Sequence, residues 1–439
     1  MNSRIRSLLI LTLILSACTP STPAPGTATP AATPDTPGTA TPAPPVLLET
    51  PIPTATFVSP GDPITLTLWT TEALAPTPDT PAGALLAVQI DTFKNTHPNV
   101  HVEVVLKSAH GAGGLLDFLS SAASVAPGVV PDLMVLDAGD VPAAAGRGLL
   151  TPLETLVAPE LQNDLYPFAR SLGTANEHLY AVPFAADVQH MAFNRVMVIA
   201  APITWTEVLS SNMRLIFAAG SASNMDATLA DYLAAGGTLV DAAGRPHLDA
   251  GPLAAVLRYY RTGVANGTLP VELPQTASPA DAWQVYRSGK VGLALVNASL
   301  YMTERASLRT TGVAAPPGPA VQSSAVARAW TWVVPARNDP TRRQLALQLL
   351  SWLTSPDNLG AWTEAGAYVP ARRAALQTWP AGDPYVSFLQ VYLETVWPAP
   401  AAEVDAQILP ALYTAVQAVL VNGVSPEVAA AAAAAKVAP

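Results

Sequence analysis

Three short runs rich in β-branched and apolar residues, Ile64–Trp69, Val100–Leu106 and Pro131–Asp137, are separated by stretches of helical spacing. That alternation restricts the fold more than any other feature, because strands spaced by helices imply a parallel, doubly wound α/β sheet. Ile64–Trp69 (ITLTLW) alternates along its length as a strand does. Residues 82–94 place Leu85, Leu86, Ile90 and Phe93 on or near one helical face, and His97-Pro98-Asn99 ends that helix. Val100–Leu106 (VHVEVVL) alternates again, a second helix is expected near 114–124, and Pro131–Asp137 supplies a third strand.

Sheets of this kind bind ligands outside the carboxyl ends of their strands. The candidate contacts there are Trp69, Thr71 and Glu72 at the end of the first strand, the Ser108–Gly114 loop after the second, and Asp137 after the third. The glycines of Ser108–Gly114 would let a phosphate approach a helix N-terminus. The segment lacks the third glycine of the dinucleotide fingerprint and the acidic residue that should follow, so it reads as a flexible turn.

At 439 residues the chain exceeds one ordinary core. Its net charge is 22 − 32 = −10, or 20 − 32 = −12 without Arg4 and Arg6. With no block of Lys or Arg, nucleic acid and anionic lipid surfaces are poor partners on net charge. A single cysteine excludes an intrachain disulfide, a CxxC redox motif and a thiolate-rich metal site. His97 and His101 are four apart, but Pro98 breaks the helix that would align them. No metal and no cofactor is expected.

Residues 1–18 join basic Arg4 and Arg6 to an apolar Leu8–Leu15 stretch and small residues before Cys18, as a secretory signal does. Leu15-Ser16-Ala17-Cys18 resembles the lipobox of bacterial lipoproteins. That implies a signal peptide over 1–17 and lipidation of Cys18, with the protein exported and anchored on the outer face of the cytoplasmic membrane. Residues 19–63 hold 13 prolines and 11 threonines, so 18–63 is expected to be a disordered tether carrying the lipidated cysteine.

Further segments, in order, carry a resemblance. ITLTLW, DTFKNTHPNVHVEVV (91–105) and PDLMVLDAGDVPAAAGRGLLTPLE (131–154) are followed by LYAVPFAADVQHMAFNR (179–195), ITWTEVL (203–209), SGKVGLALVNASLYM (288–302), RRQLALQLLSWLTSPDN (342–358) and GVSPEVAAAAAAAKV (423–437). The chain thereby resembles the family 1 extracellular solute-binding proteins, the receptors of bacterial ABC importers, typified by sugar and maltodextrin binders. The resemblance implies a two-lobed periplasmic-binding-protein fold of type II, each lobe a doubly wound sheet with flanking helices and the ligand in the cleft between them. It implies lobe one over 64–185 and 291–329 and lobe two over 186–290 and 330–439, with crossings near Ala185, Lys290 and Ala329. It implies a monomeric, non-catalytic receptor that closes over a small solute, foremost a sugar or polyol, and delivers it to ABC permease subunits. The membrane is met through the lipid anchor only. No GxSxG, HExxH or Walker sequence is present. Carboxylate pairs can assemble in space, and a secreted, lipid-anchored hydrolase of glycosides or esters is the alternative.

By the same resemblance Pro183 aligns with a hinge proline, and Asp187 falls where maltodextrin binders place a sugar-binding acid. Asn297 and Tyr301 follow the strand VGLALV, with Leu300 where many sugar binders carry tryptophan. Tyr413 lies where another aromatic platform is brought in, and Tyr368 sits in a loop facing the other lobe. Alternation puts Trp330 and Trp332 on one strand face, lining a cleft or filling a core. Tyr259-Tyr260 invites comparison with the paired tyrosines of ferric-iron binders, but its helical surroundings read as an ordinary helix. Thr204 and Glu207 form a capping box that starts a helix with Trp205 in the core.

Overall fold

The structure is a computed structural model and describes residues 62–320, 325–337 and 339–437. The signal peptide, Cys18 and nearly all of the tether lie outside the described residues. Strand β1 (Ile64–Thr70), helix α1 (Pro81–Thr96), β2 (Val100–Leu106), α2 (Leu115–Val125) and β3 (Leu133–Asp137) follow the expected order. β1 lies between β2 and β3 and is parallel to both. Pro81 opens α1 behind Thr80, whose hydroxyl accepts the Gly83 amide at 3.0 Å. Leu133–Leu136 of β3 is buried throughout, as a strand covered on both faces requires.

Apart from a small separate hairpin of Thr174–Ala175 with His178–Leu179, the remaining strands are β4 (Ala181–Asn194), β5 (Leu215–Ile216), β6 (Leu293–Asn297), β7 (Thr311–Ala314), β8 (Val326–Val333), β9 (Val369–Pro370) and β10 (Trp397–Pro398). All join one sheet in the order β2-β1-β3-β8-β4-β6-β5, with β7 and β9 also on β4 and β10 on β8. Helices α3 (Asp226–Ala234), α4 (Ala250–Asn266), α5 (Pro279–Arg287), α6 (Ala298–Glu304), α7 (Pro340–Leu353), α8 (Pro356–Ala365), α9 (Ala402–Leu420) and α10 (Pro426–Val437) flank it.

The packing divides this sheet into two lobes. One core gathers β1–β3, α1, α2, α7, α8, Ala181–Ala185 of β4 and Trp332 and Val333 of β8. Beyond Ala185, alternate residues face two further cores on opposite sides of the same half-sheet. Met191, Leu215, Leu293 and Leu295 meet α3, α4, α9 and α10. Ala192, Ile216, Ala294 and Val296 meet α5, α6 and residues 369–396.

This corrects the expected division of the chain. Residues 291–329 do not return to the first lobe at Lys290, since β6 and β7 pair with Gln189–Asn194 of β4. Residues from 330 onward do not all enter the second, since α7 and α8 pack on α1. The cause is direction: β8 runs antiparallel to β4, so a chain leaving β8 at Val333 emerges in the first lobe. Along this pair the register slips, Trp330 standing opposite Ala185 and Thr331 opposite Pro183, which has no amide hydrogen to donate.

An ion pair secures the first lobe. Asp132, whose side chain is 1% exposed, accepts the Thr67 amide of β1 at 2.8 Å and two bonds from Arg342 of α7 at 2.8 and 2.5 Å, with Arg337 at 3.3 Å. In the second lobe the capping box forms with one change: Thr204 accepts the Glu207 amide, but Glu207 reaches the Ile203 amide rather than that of Thr204. Trp205 stacks on Tyr259 at 4.8 Å, and the Tyr260 hydroxyl donates to Asp231, so this tyrosine pair is core. Among the described residues no helix is long and apolar enough to cross a membrane.

Candidate functional site

The carboxyl ends of β1 and β2 and the flank of β8 enclose a cavity of about 720 Å³ lined by Thr71, Glu72, Lys107, Ser108 and Trp330, with three apolar neighbours. Trp330 stands there because β8 pairs it with Asp137, the last residue of β3. A cavity of about 660 Å³ at the opposite strand ends, beside Val130, Leu150 and Ala336, has no aromatic lining. The first has the mix of ring and polar groups that a small-molecule site needs. The buried Thr71 Oγ1 has no hydrogen-bond partner. Lys107 Nζ stands 3.9 Å from the ring centre of Phe118 and 5.1 Å from that of Trp69, so its charge is steadied by two aromatic faces.

The Ser108–Gly114 loop is closed by its own bonds. Leu115 N donates to Ser108 O at 3.0 Å, Gly114 N to Gly111 O at 2.9 Å, and Gly113 N to Asp117 at 2.7 Å. These bonds engage the amides of Gly113, Gly114 and Leu115, where the loop runs into α2. A Cβ on Gly114 would sit 2.7 Å from the His110 backbone, so glycine permits the turn that presents His110. The His110 ring stacks on Trp330 at 5.9 Å and 24°. Its nitrogens lie 3.9 Å from Asp137 and 3.7 Å from Asp140, and Asp140 above all, then Asp137, raises its pKa against the effect of partial burial. Burial raises the pKa of Asp137 itself, opposed by the Gly139 amide and by His110.

Arg328 of β8 acts electrostatically on Asp137 from the second-lobe side. It makes a fork to Asp226 at 2.7–3.2 Å and a 2.6 Å bond to Asp405 of α9. The other Asp405 oxygen is buried without a partner. The centre therefore holds four carboxylates, Asp137, Asp140, Asp226 and Asp405, against Arg328 and His110. It is rich in acceptors and poor in free cations.

Of the residues singled out from sequence, Thr71, Glu72, Asp137 and Trp330 come together. Trp69 is 4% exposed and lies under Lys107 in the first core, edge-on to Phe118. Trp332, two residues along β8 from Trp330, is core, stacked on Phe184 at 4.7 Å. Tyr301 is also core, packed against Tyr385 and His190. Tyr413 packs on the second-lobe core, and Tyr368 lies parallel to Trp362 at 5.5 Å. Asp187 differs from the expectation of a carboxylate open to ligand hydroxyls. It accepts from Val188 N, Ser299 N, Asn297 Nδ2 and Ser299 Oγ at 2.6–3.2 Å, so its acceptor sites are already used. Burial raises its pKa, and these bonds oppose the rise. Asp187 thus caps the start of α6 from the neighbouring strand, and Asn297 holds it there. Sequence reasoning missed Lys107, His110, Arg328 and Asp405. Only Arg328 left a trace, as a charge inside an otherwise apolar strand.

The sequence pattern of the bacterial extracellular solute-binding protein family matches residues 89–385. Solved structures share the fold at low identity. The cyclic α-maltosyl-1,6-maltose binding protein from Arthrobacter globiformis is 19% identical, with a TM-score of 0.67 over 85% of this chain and 98% of that one. A cyclo/maltodextrin-binding protein complexed with maltotetraose is 18% identical, with a TM-score of 0.69 over 86% and 97%. The GacH receptor of Streptomyces glaucescens, solved unliganded and with acarbose, is 18% identical, with a TM-score of 0.62 over 85% and 97%.

Proposed function

We propose, for a chain that belongs to the family of bacterial extracellular solute-binding proteins, that it captures a neutral carbohydrate in the cleft beside Trp330 and delivers it to an ABC importer by closing its two lobes. The observation that carries this reading is the meeting of Trp330 with acceptors and a donor in one cavity of about 720 Å³: Glu72 and the unpartnered Thr71 hydroxyl with Lys107, while Asp137 stands beside Trp330 on the neighbouring strand. Sugars offer hydroxyl donors at their rims and C–H surfaces on their faces, and this cavity supplies a partner for each. Three similar structures are named for maltodextrin-type sugars or acarbose, which favours an α-linked oligosaccharide. In this reading the protein binds without turnover. The lobes are 64–185 with 330–368, and 186–329 with 369–437, whose core residues 165–172 also join.

Calorimetry with maltotetraose and cyclodextrins, after a thermal-shift screen of sugars and polyols, tests the site. Trp330→Ala should weaken the best ligand at least tenfold, about 1.4 kcal/mol, through lost stacking and apolar contact. Unchanged affinity would move the site away from this cavity. A cationic best ligand would overturn the carbohydrate reading and leave the receptor intact.

We also propose that Cys18 carries the lipid anchor, its lipobox position being the motive. Cys18→Ser should shift the protein from the membrane fraction into the medium, read by fractionation and immunoblot. A wild-type protein already soluble, with an unmodified N-terminus, would remove the anchor.

A further inference from the structure

Far from the cleft, four loops meet at one edge of the second lobe. β4 ends at Asn194, whose amide bonds Gly292 O, and the next amide, of Arg195, bonds Thr310 O. The Leu293 amide that opens β6 bonds Arg214 O. Segments 195–203, 211–214, 288–292 and 308–311 are thereby brought side by side, though well over a hundred residues separate the first from the last.

Their composition departs from the rest of the chain. Together they contain Arg195, Arg214, Lys290 and Arg309 and no Asp or Glu, in a protein of net charge −10. All four cations are exposed, and none has an ion-pair partner among the described residues. Among them rises an apolar loop: Val196 is 78% exposed, Met197 43%, Ile199 104% and Ile203 47%. Aliphatic side chains this exposed, on segments that carry four unpaired cations and that one carboxylate, Glu207, touches at the Ile203 amide, suit a surface that is apolar within and negative at its face.

We infer that this edge is a docking surface for the headgroup region of an anionic phospholipid bilayer, with Met197 and Ile199 inserted below the phosphates and the four cations among them. The net negative charge of the protein does not prevent this, because at physiological salt charges beyond about 8 Å are largely screened and the local set decides. The geometry also leaves ligand capture free. The patch lies at the start of β6, and the Asn297–Asp187 contact lies at its end, about 13 Å along the strand. The lobe would rest on the membrane with the cleft uncovered.

The test is sedimentation of the mature chain carrying Cys18→Ser, so that no acyl chain contributes. It is mixed with vesicles of phosphatidylcholine alone or with about one third phosphatidylglycerol. Wild-type patch residues should give binding to the anionic vesicles only, lost at high salt. Each cation should contribute about fivefold in partition, so Arg195→Gln/Arg214→Gln/Lys290→Gln should lower it roughly a hundredfold and the charge reversal Arg195→Glu/Arg214→Glu/Lys290→Glu further still. Ile199→Asp alone should also lower it, with an unchanged melting temperature showing that the fold is kept. Equal binding to neutral and anionic vesicles, or no loss on charge reversal, overturns the inference. So does failure to bind either vesicle while reconstituted ABC permease captures the protein through the same residues; the surface would then be a protein interface.

Discussion

Asp132→Ala is expected to lower the stability of the fold by about 3 kcal/mol or more, because removing one member of a buried ion pair leaves the others uncompensated. Asp132 is nearly inaccessible and joins three elements: the Thr67 amide of β1, its own position before β3, and Arg342 of α7. Alanine would strand a buried amide and two guanidinium groups. The arginine side chains are 26% and 19% exposed, so water relieves part of the loss and places the effect toward the lower end of the usual 3–5 kcal/mol. Asp132→Asn keeps the shape and one acceptor and should fall between. Urea denaturation of the three proteins measures this. A change below about 1 kcal/mol for alanine would mean that Arg342 and Arg337 hold the lobe by packing alone.

His190 should make the second lobe acid-sensitive. Its ring is completely buried among Tyr301, Tyr385 and Phe388, and neither nitrogen has a well-aligned hydrogen bond. Burial pushes its pKa down from 6.5 to about 4, and the Met191 amide offsets only part of that. The unfolded chain therefore binds a proton that the folded chain refuses between those values. Stability is unaffected above pH 6.5 and falls as the pH drops toward 4, by about 3 kcal/mol in all. His190→Phe should remove this part of the acid limb while remaining no less stable at neutral pH. Denaturant midpoints at pH 7, 5.5 and 4 give the comparison, and parallel profiles for the two proteins would absolve His190.

What could be read from sequence was what local periodicity carries. β1, α1, β2, α2 and β3 obey alternation or helical spacing, and the strand-end rule led to Thr71, Glu72 and Asp137. Trp330 and Trp332 mark where that reading stopped. Alternation places them together, but only the pairing with β3 shows that one reaches the open strand ends and the other stops in the core. The fate of residues 291–365 was likewise hidden, because it follows from β8 running antiparallel to β4, a non-local choice that no window of sequence contains. Asp187 illustrates a third limit. Its type and place suit a sugar contact, yet Ser299 and Asn297, more than a hundred residues later, occupy its lone pairs.

The lobes are joined by β4 and β8, two hydrogen-bonded strands of a single sheet, and by a third crossing where β9 pairs with β4 at Ala185 and Ala186. A ribbon of this kind resists sliding along its length, since every rung would have to break, but flexes readily about an axis across its width. The rung beside Pro183 is already missing on the proline side, so bending should concentrate there, next to Trp330. Lobe motion is then confined to nearly one degree of freedom, and the flexing point adjoins the ring proposed to touch the ligand. A sugar stacked on Trp330 would load that joint directly, and the joint's stiffness would set how readily the cleft reopens.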